Sequence, residues 1–285
     1  MDKPNDIAAR ALSTRFTLGV RLALDGTAWA FRRKELRALS FLSVAVNLLL
    51  YVGLLVLGFL YLNDVATWLA PDPARWQGFW RDVAELAQGI VKFLLGIAWV
   101  LLSVFLALAV GNVVSSPVFD LLSEKTEEIL VGRSLAPPFS LPGVVRTSLR
   151  ELVVQMALLV VYLPVVIAIL LIGLLPGLGQ LLAPLLTWVW TSMWITMTFT
   201  TQATARHGLG VKDRLRMLTA HKTLSLGFGA IESLLPFLLV PLFSPGLVVG
   251  GTRLFLSLAA YDRIDSKLTA EDKARMRGHS AQVVR

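Results

Sequence analysis

The sequence predicts an all-α integral membrane protein, with about four long transmembrane helices and at least one re-entrant, partly penetrating helical hairpin built on Pro and Gly. Composition, long apolar runs and Pro-Gly breaks between runs all predict this class. Hydrophobic residues make up 55% of the 285-residue chain and charged residues 16%, against about 25% charged in a soluble domain. The mean hydropathy of +0.69 therefore requires apolar runs longer than those of a single buried core.

Apolar runs of two lengths follow one another along the chain. A helix that crosses the bilayer needs about 20 mostly apolar residues. Two runs, 228–243 and 246–261, hold only 16 residues each, so we expect them to be membrane elements that penetrate part of the way. The long runs, which predict full crossings, are residues 38–62, 86–110, 152–175 and 180–201.

Basic residues alternate between the segments that join these runs. Lys and Arg number eight in residues 1–37, two in 63–85, four in 111–151, five in 202–223 and seven from 253 onward. Because basic loops stay in the cytoplasm, we expect a multi-pass protein of the bacterial inner membrane with both termini cytoplasmic. The prediction is one polytopic membrane domain, residues 1–262, beginning with a basic cytoplasmic segment (1–37), and then a charged cytoplasmic tail, 263–285.

The linker after the second run predicts an interfacial helix over residues 116–132. Ser116 is a suitable cap, Pro117 suits the first turn and Gly132 can end the helix. Two interpretations of its acidic face remain open: a solvated surface, or a charge partner for the basic loops. The acidic residues on that face are Asp120, Glu124, Glu127 and Glu128.

Two Pro-Gly breaks join apolar runs with almost no loop between them. The first contains Pro176, Gly177 and Gly179, and the second contains Pro245 and Gly246. Non-helical backbone at membrane depth is tolerated only where it is buried in protein or lines water. Paired breaks of this kind indicate a transport site, although a tight outer turn between ordinary spans remains an alternative, especially for the first.

Two charged residues lie inside the short runs. Glu232 precedes the second break and Arg253 follows it. Charges within the membrane are costly and are functional candidates by default. We expect the two to pair across the hairpin, or else both to reach the cytoplasmic edge.

Several motifs then carry a family resemblance. They are residues 111–117 (GNVVSSP), 121–124 (LLSE), 175–180 (LPGLGQ), 228–230 (FGA) and 250–252 (GGT). In this order and spacing the chain, from about residue 19 to residue 263, resembles the CysZ-type sulfate permeases and the wider etoposide-induced-protein-like membrane family. The resemblance implies long spans with partly penetrating hairpins, sulfate entry at the inner membrane for cysteine synthesis, and assembly as dimers or larger oligomers.

The resemblance also implies a sulfate site at a Gly-Leu-Arg motif before the first membrane helix. Leu36 and Arg37 match that motif, whereas Glu35 stands in place of its glycine. A carboxylate beside a dianion is unfavourable, but a basic cluster can offset it and Arg37 can bind an oxyanion with its planar guanidinium. A cytoplasmic anchor that binds no ligand is the alternative for this cluster, formed by Arg32, Arg33 and Lys34.

These observations favour transport of sulfate or a related small oxyanion. The alternative is a non-transporting membrane scaffold or envelope protein, which the altered motif favours. We expect no enzyme, catalytic residue, cofactor or metal, because the three histidines lack metal-ligand spacing and no catalytic motif occurs. The expected partners are the lipid bilayer, a small inorganic anion and further copies of the chain. Nucleic acid is disfavoured despite the net charge of +8, because the basic residues lie in short stretches between apolar runs.

Overall fold

The computed structural model describes residues 12–69, 73–134, 141–235, 239–261 and 268–274. These residues contain helices joined by short turns and no β-strand, which confirms the all-α class. A 3-10 helix, Pro73–Arg75, lies between the second and third α-helices. The long helices are α1 (Leu12–Arg32), α2 (Lys34–Leu69), α3 (Phe79–Val131), α4 (Leu141–Gly173), α5 (Leu178–Arg206), α6 (Val211–Ala220), α7 (Lys222–Leu234) and α8 (Val240–Tyr261).

Within the described residues, five helical stretches are long and apolar enough to cross a bilayer. Four of them lie in α2, α3, α4 and α5, where the long spans were predicted, and only 6–17% of their most apolar windows is buried in the protein. The fifth, Val240–Ala260 in α8, is 83% buried. The chain is therefore a multi-pass membrane protein in which α8 is covered mainly by other helices.

The chain divides into two compact units. One comprises the described residues up to Ser40 and from Val118 onward, and the other is Phe41–Pro117. In the second unit, the Asn47 amide donates a 2.9 Å hydrogen bond to Ser115 Oγ, both side chains being buried. Trp99 Nε1 donates to the Leu54 carbonyl at 3.0 Å. Polar bonds of this kind hold helices together where lipid provides no hydrophobic driving force.

Helix α1 forms the centre of the first unit with α5, α7 and α8. It buries one face through Leu18, Leu22 and Ala30. Its apolar spacing of four residues is a helical signal, but the many basic residues of segment 1–37 hid it. The segment predicted only as polar and basic is thus largely a packed amphipathic helix.

Close backbone contacts at glycine set the packing of α1. Gly19 lies against the Leu224 carbonyl, and Gly227 against the Phe16 carbonyl, so α1 and α7 cross with no side chain between them. A Cβ atom on either glycine would overlap those backbone atoms. Small residues permit this approach.

The turn predicted at Pro245 and Gly246 is wrong, because both residues lie inside α8. Helix α7 ends at Leu234, and Leu235 has extended backbone angles since it precedes a proline, which disfavours the helical conformation. Proline inside a membrane helix is tolerated where nearby hydroxyls satisfy the backbone. Pro245 leaves the Pro241 carbonyl without its helical N–H partner, and in the same turn Ser244 Oγ donates to the Val240 carbonyl at 2.7 Å.

The start predicted for the interfacial helix 116–132 is also wrong. Helix α3 runs unbroken from Phe79 to Val131 with Pro117 inside it, because a single proline costs a long helix only one turn of bonding. Gly132, at φ 83°, follows its end, and the Gly132 amide donates to the Glu128 carbonyl at 2.8 Å.

The first Pro-Gly break lies between two helices. Helix α4 ends at Gly173 and α5 begins at Leu178, which places Pro176 and Gly177 in the turn and Gly179 in the first turn of α5. Gly177 has φ 79°, a conformation that side chains with a Cβ rarely adopt.

Candidate functional site

The basic segment, residues 32–37, lies where α1 ends and α2 begins. Arg33 separates the two helices, and Lys34 and Glu35 open α2. Ser40 Oγ lies 3.0 Å from both the Ala30 and the Leu36 carbonyl oxygens, which share its one proton, and this joins the end of α1 to the start of α2. The break between the two helices therefore carries several basic residues, and a buried hydroxyl fixes the backbone on either side of it.

The two residues carried over from the family motif have different environments. Leu36 is fully buried and its amide donates to the Arg33 carbonyl at 3.2 Å, so neither its side chain nor its N–H faces a solute. Arg37 is exposed, as are Arg32, Arg33 and Lys34, although the Arg37 amide also bonds the Arg33 carbonyl, at 2.9 Å. The exposed side chains of this segment, rather than its backbone, are what an anion could contact.

Two arginine side chains lie against the ring of Trp29, which is one turn before the break. The guanidinium carbon of Arg33 lies 4.5 Å from the centroid of the Trp29 ring, and that of Arg253 lies 4.6 Å from it. Both distances are within the range of cation–π attraction. We call Arg33 and Arg253 the arginine pair; it joins the basic segment to α8.

Arg253 is the unusual member of this pair. Only 5% of the residue is exposed, and its Nη1 has no hydrogen-bond partner among the described residues. Asp25 and Arg33 are close enough to act on it electrostatically. A guanidinium has five N–H donors, and a buried donor left unbonded costs free energy.

The predicted pairing of Glu232 with Arg253 is wrong, since Arg253 stacks on Trp29 and the described residues contain no ion pair between the two charges. The reason is the displaced turn. With α7 ending at Leu234, Glu232 lies beside the turn, whereas Arg253 lies more than three helical turns into α8. Glu232 Oε2 is buried without a hydrogen-bond partner.

A second group of charges, which we call the buried charge network, joins α3, α5 and α8. Arg206 Nε donates a 3.0 Å hydrogen bond to Glu127 Oε2, and its Nη groups donate to the Asp120 carboxylate and to Ser123 Oγ. Ser123 Oγ lies 2.6 Å from Thr252 Oγ1 of α8. The Glu127 side chain is fully buried and that of Arg206 is 8% exposed.

The buried charge network confirms one of the two interpretations of the acidic face on the linker. Asp120 and Glu127 are charge partners for Arg206, a residue of the basic loop 202–223. The other two acidic residues, Glu124 and Glu128, are half-buried, and Glu128 is paired to Lys125 at 2.6 Å. The spacing identified the acidic face, but Arg206 as its partner had no sequence signal beyond its positive charge.

Among the described residues, no group of three or more His, Asp or Glu side chains is placed to hold a metal ion. The charged groups brought together are instead ion pairs and an arginine pair. The arginine pair can attract a small anion, because it combines positive charge, a buried donor and one exposed edge.

Comparisons with known proteins identify the family. No curated protein matches the chain. A family model described as "Sulfate transporter CysZ/Etoposide-induced protein 2.4" matches residues 22–265, a stretch that includes Trp29, the basic segment, the buried charge network and Arg253. Since this match covers most of the chain, the protein belongs to the sulfate transporter CysZ/etoposide-induced protein 2.4 family of membrane proteins.

Proposed function

We propose that the protein is a transporter or channel that moves sulfate, or a small oxyanion of similar shape and charge, into the cytoplasm of a bacterium. The observation that carries this proposal is the family match over residues 22–265. The arginine pair and the exposed Arg32, Lys34 and Arg37 support it, since an anion pathway needs positive charge facing it. We further propose an inner-membrane location and a homo-oligomeric assembly.

Glu35 favours the alternative function, a membrane scaffold or envelope protein that transports nothing. Its side chain is exposed in the first turn of α2, where a carboxylate stabilises the positive end of the helix dipole. That carboxylate lowers the positive electrostatic potential that would attract a dianion to this place. If the protein transports an oxyanion, Glu35 must weaken binding rather than abolish it.

Labelled sulfate uptake into liposomes that contain the purified protein tests both functions. We expect sulfate entry above that of empty vesicles, with competition by unlabelled sulfate but not by chloride. We also expect Glu35→Gln to raise the apparent sulfate affinity about two- to fivefold, because one charge near a helix end is worth about 0.3–1 kcal/mol. Glu271→Gln, which removes a charge outside the site, serves as the control.

Flux equal to that of empty vesicles under inward and outward sulfate gradients, in both the wild type and Glu35→Gln, would contradict transport. An envelope defect on disruption of the gene, with no sulfate or cysteine requirement, would then support the scaffold function.

A further inference from the structure

We propose that Arg253 of α8 is a ligand for a tetrahedral oxyanion, which it holds together with Arg33 beside Trp29. This inference rests on the proposed function for its substrate class, but it concerns a residue outside the Glu35–Leu36–Arg37 stretch. It assigns part of the binding site to the far end of the chain, on a helix that the protein itself buries.

The first argument is the unpartnered donor. Arg253 is 5% exposed, and its Nη1 is buried with no hydrogen-bond partner among the described residues. Buried charges in proteins are normally paired and hydrogen-bonded. An oxyanion with several acceptor oxygens supplies what this guanidinium lacks, and charge-assisted bonds of this type are stronger than neutral ones.

The second argument is the neighbouring like charge. Arg33 lies on the same Trp29 ring at 4.5 Å, and Arg253 lies at 4.6 Å. Arg33 also acts on Arg253 electrostatically as a like charge, and the ring quadrupole offsets only part of that repulsion. An anion shared between them removes the repulsion, so binding and local stability are coupled.

The third argument is the charge balance of the surroundings. Residues 25–37 and Arg253 together carry five basic groups against two acidic ones, Asp25 and Glu35. Asp25 acts on Arg253 electrostatically, yet the described residues contain no ion pair between them. A net positive charge therefore remains after the protein's own carboxylates are counted, and a divalent anion fits it better than a monovalent one.

The fourth argument is access. Arg33 is exposed whereas Arg253 is buried, so the pair has an open edge and a closed one. Planar guanidinium groups bind oxyanions through paired N–H donors, which a lysine ammonium does not reproduce.

The test is sulfate titration by calorimetry on the purified protein in neutral detergent, with chloride as the competing salt. We expect Arg253→Gln to weaken sulfate binding about tenfold or more, and Arg253→Lys to restore only part of it. Arg33→Gln, at an exposed position, should also weaken binding without threatening the fold. Arg216→Gln removes the same charge from an exposed site in α6 and should leave binding unchanged.

Thermal unfolding of each variant separates folding from binding. Arg253→Gln and Arg33→Gln should lose the sulfate-induced rise in Tm while keeping a cooperative transition. Sulfate affinity in both variants equal to that of the wild type, or no sulfate binding by the wild type itself, would overturn the proposal.

Lipid phosphate offers the same oxyanion chemistry, so bound lipid is measured by mass spectrometry in parallel. Anionic lipid retained through Arg253, with sulfate affinity unaffected by Arg253→Gln, overturns the sulfate ligand. Sulfate binding that depends on Arg253, without sulfate flux, would contradict the transport function but not this inference. Sulfate flux that is unchanged in Arg253→Gln would contradict this inference but not the transport function.

Discussion

Arg206 shows at the scale of one residue how a buried charge is made tolerable. Its guanidinium contacts Glu127, Asp120 and Ser123, so it has acceptors on several sides, and Glu127 has a further neighbour in His207, whose Nε2 lies 3.4 Å from Glu127 Oε1. Breaking a buried ion pair is far more costly than never forming one. We therefore expect the network to specify how α3 packs against α5 more than to add net stability.

Replacing Arg206 alone should destabilise the protein strongly. We expect Arg206→Met to lower the free energy of unfolding by about 3–5 kcal/mol, because the buried Glu127 carboxylate loses its guanidinium partner. The double variant Arg206→Met/Glu127→Leu should recover most of that loss. Thermal unfolding in detergent measures both, with Lys125→Ala, which breaks an exposed pair to Glu128, as a control that should change little.

An equal Tm for Arg206→Met and the wild type would contradict the expected cost of leaving the Glu127 carboxylate buried without its guanidinium partner. A double variant less stable than Arg206→Met would show that the hydrophobic replacement does not fit the site.

The basic segment illustrates what a local sequence can and cannot predict. Its charge and its position before the first long apolar run indicated an anion-binding or anchoring role for Arg32, Arg33, Lys34 and Arg37. The contact between Arg33 and Arg253 through Trp29 joins residues more than two hundred positions apart. Periodicity and spacing hold no information at that range, so the pairing of Arg253 was predicted with the wrong partner.

At the scale of elements, three prolines behave differently for reasons that lie outside their own sequence. Pro176 is followed by Gly177 at φ 79° and lies in the turn between α4 and α5. Pro117 and Pro245 lie inside α3 and α8. Pro245 and Pro176 are both followed by glycine, but Gly246 lies against Thr27 of α1, and that packing keeps α8 helical. Tertiary contact, not the Pro-Gly pair, decides the outcome.

The contact at Gly246 gives a direct test of this packing. Gly246→Ala should lower the free energy of unfolding by about 1–3 kcal/mol, because its new Cβ would overlap the Thr27 backbone and side chain. Gly53→Ala is the matched control, since nothing lies within 4 Å of a Cβ there, and alanine is the better helix former. Unfolding in detergent compares the two.

If Pro245 and Gly246 formed an exposed turn, Gly246→Ala would instead be nearly neutral. Equal stability of the two alanine variants would therefore contradict the placement of α8 against α1.

At the scale of the whole molecule, the number of crossings decides where the C-terminus lies. If the basic segments at both ends are cytoplasmic, as we predict, the number of crossings is even, because each crossing reverses the side of the membrane. The described helices include five stretches long enough to cross, an odd number. Composition and length alone cannot resolve this conflict, since α8 is as apolar as a true span.

Burial favours four crossings. The α8 stretch is 83% buried, against 6–17% for the other four, and it carries Arg253 inside the protein. A helix that other helices enclose need not face lipid, and its charge need not be hydrated by the bilayer surface. We therefore predict that α7 and α8 enter and leave on the cytoplasmic side, so that residue 271 is cytoplasmic.

The absence of cysteine from the sequence makes this prediction simple to test with single cysteines and a membrane-impermeant maleimide. Gln77→Cys, in the exposed turn before α3, should react in intact cells. Lys212→Cys and Glu271→Cys, both exposed, should react only after permeabilisation, and the parent protein should not react at all. Labelling of Glu271→Cys in intact cells, with Lys212→Cys still protected, would show that α8 crosses the membrane and that the two ends of the chain lie on opposite sides.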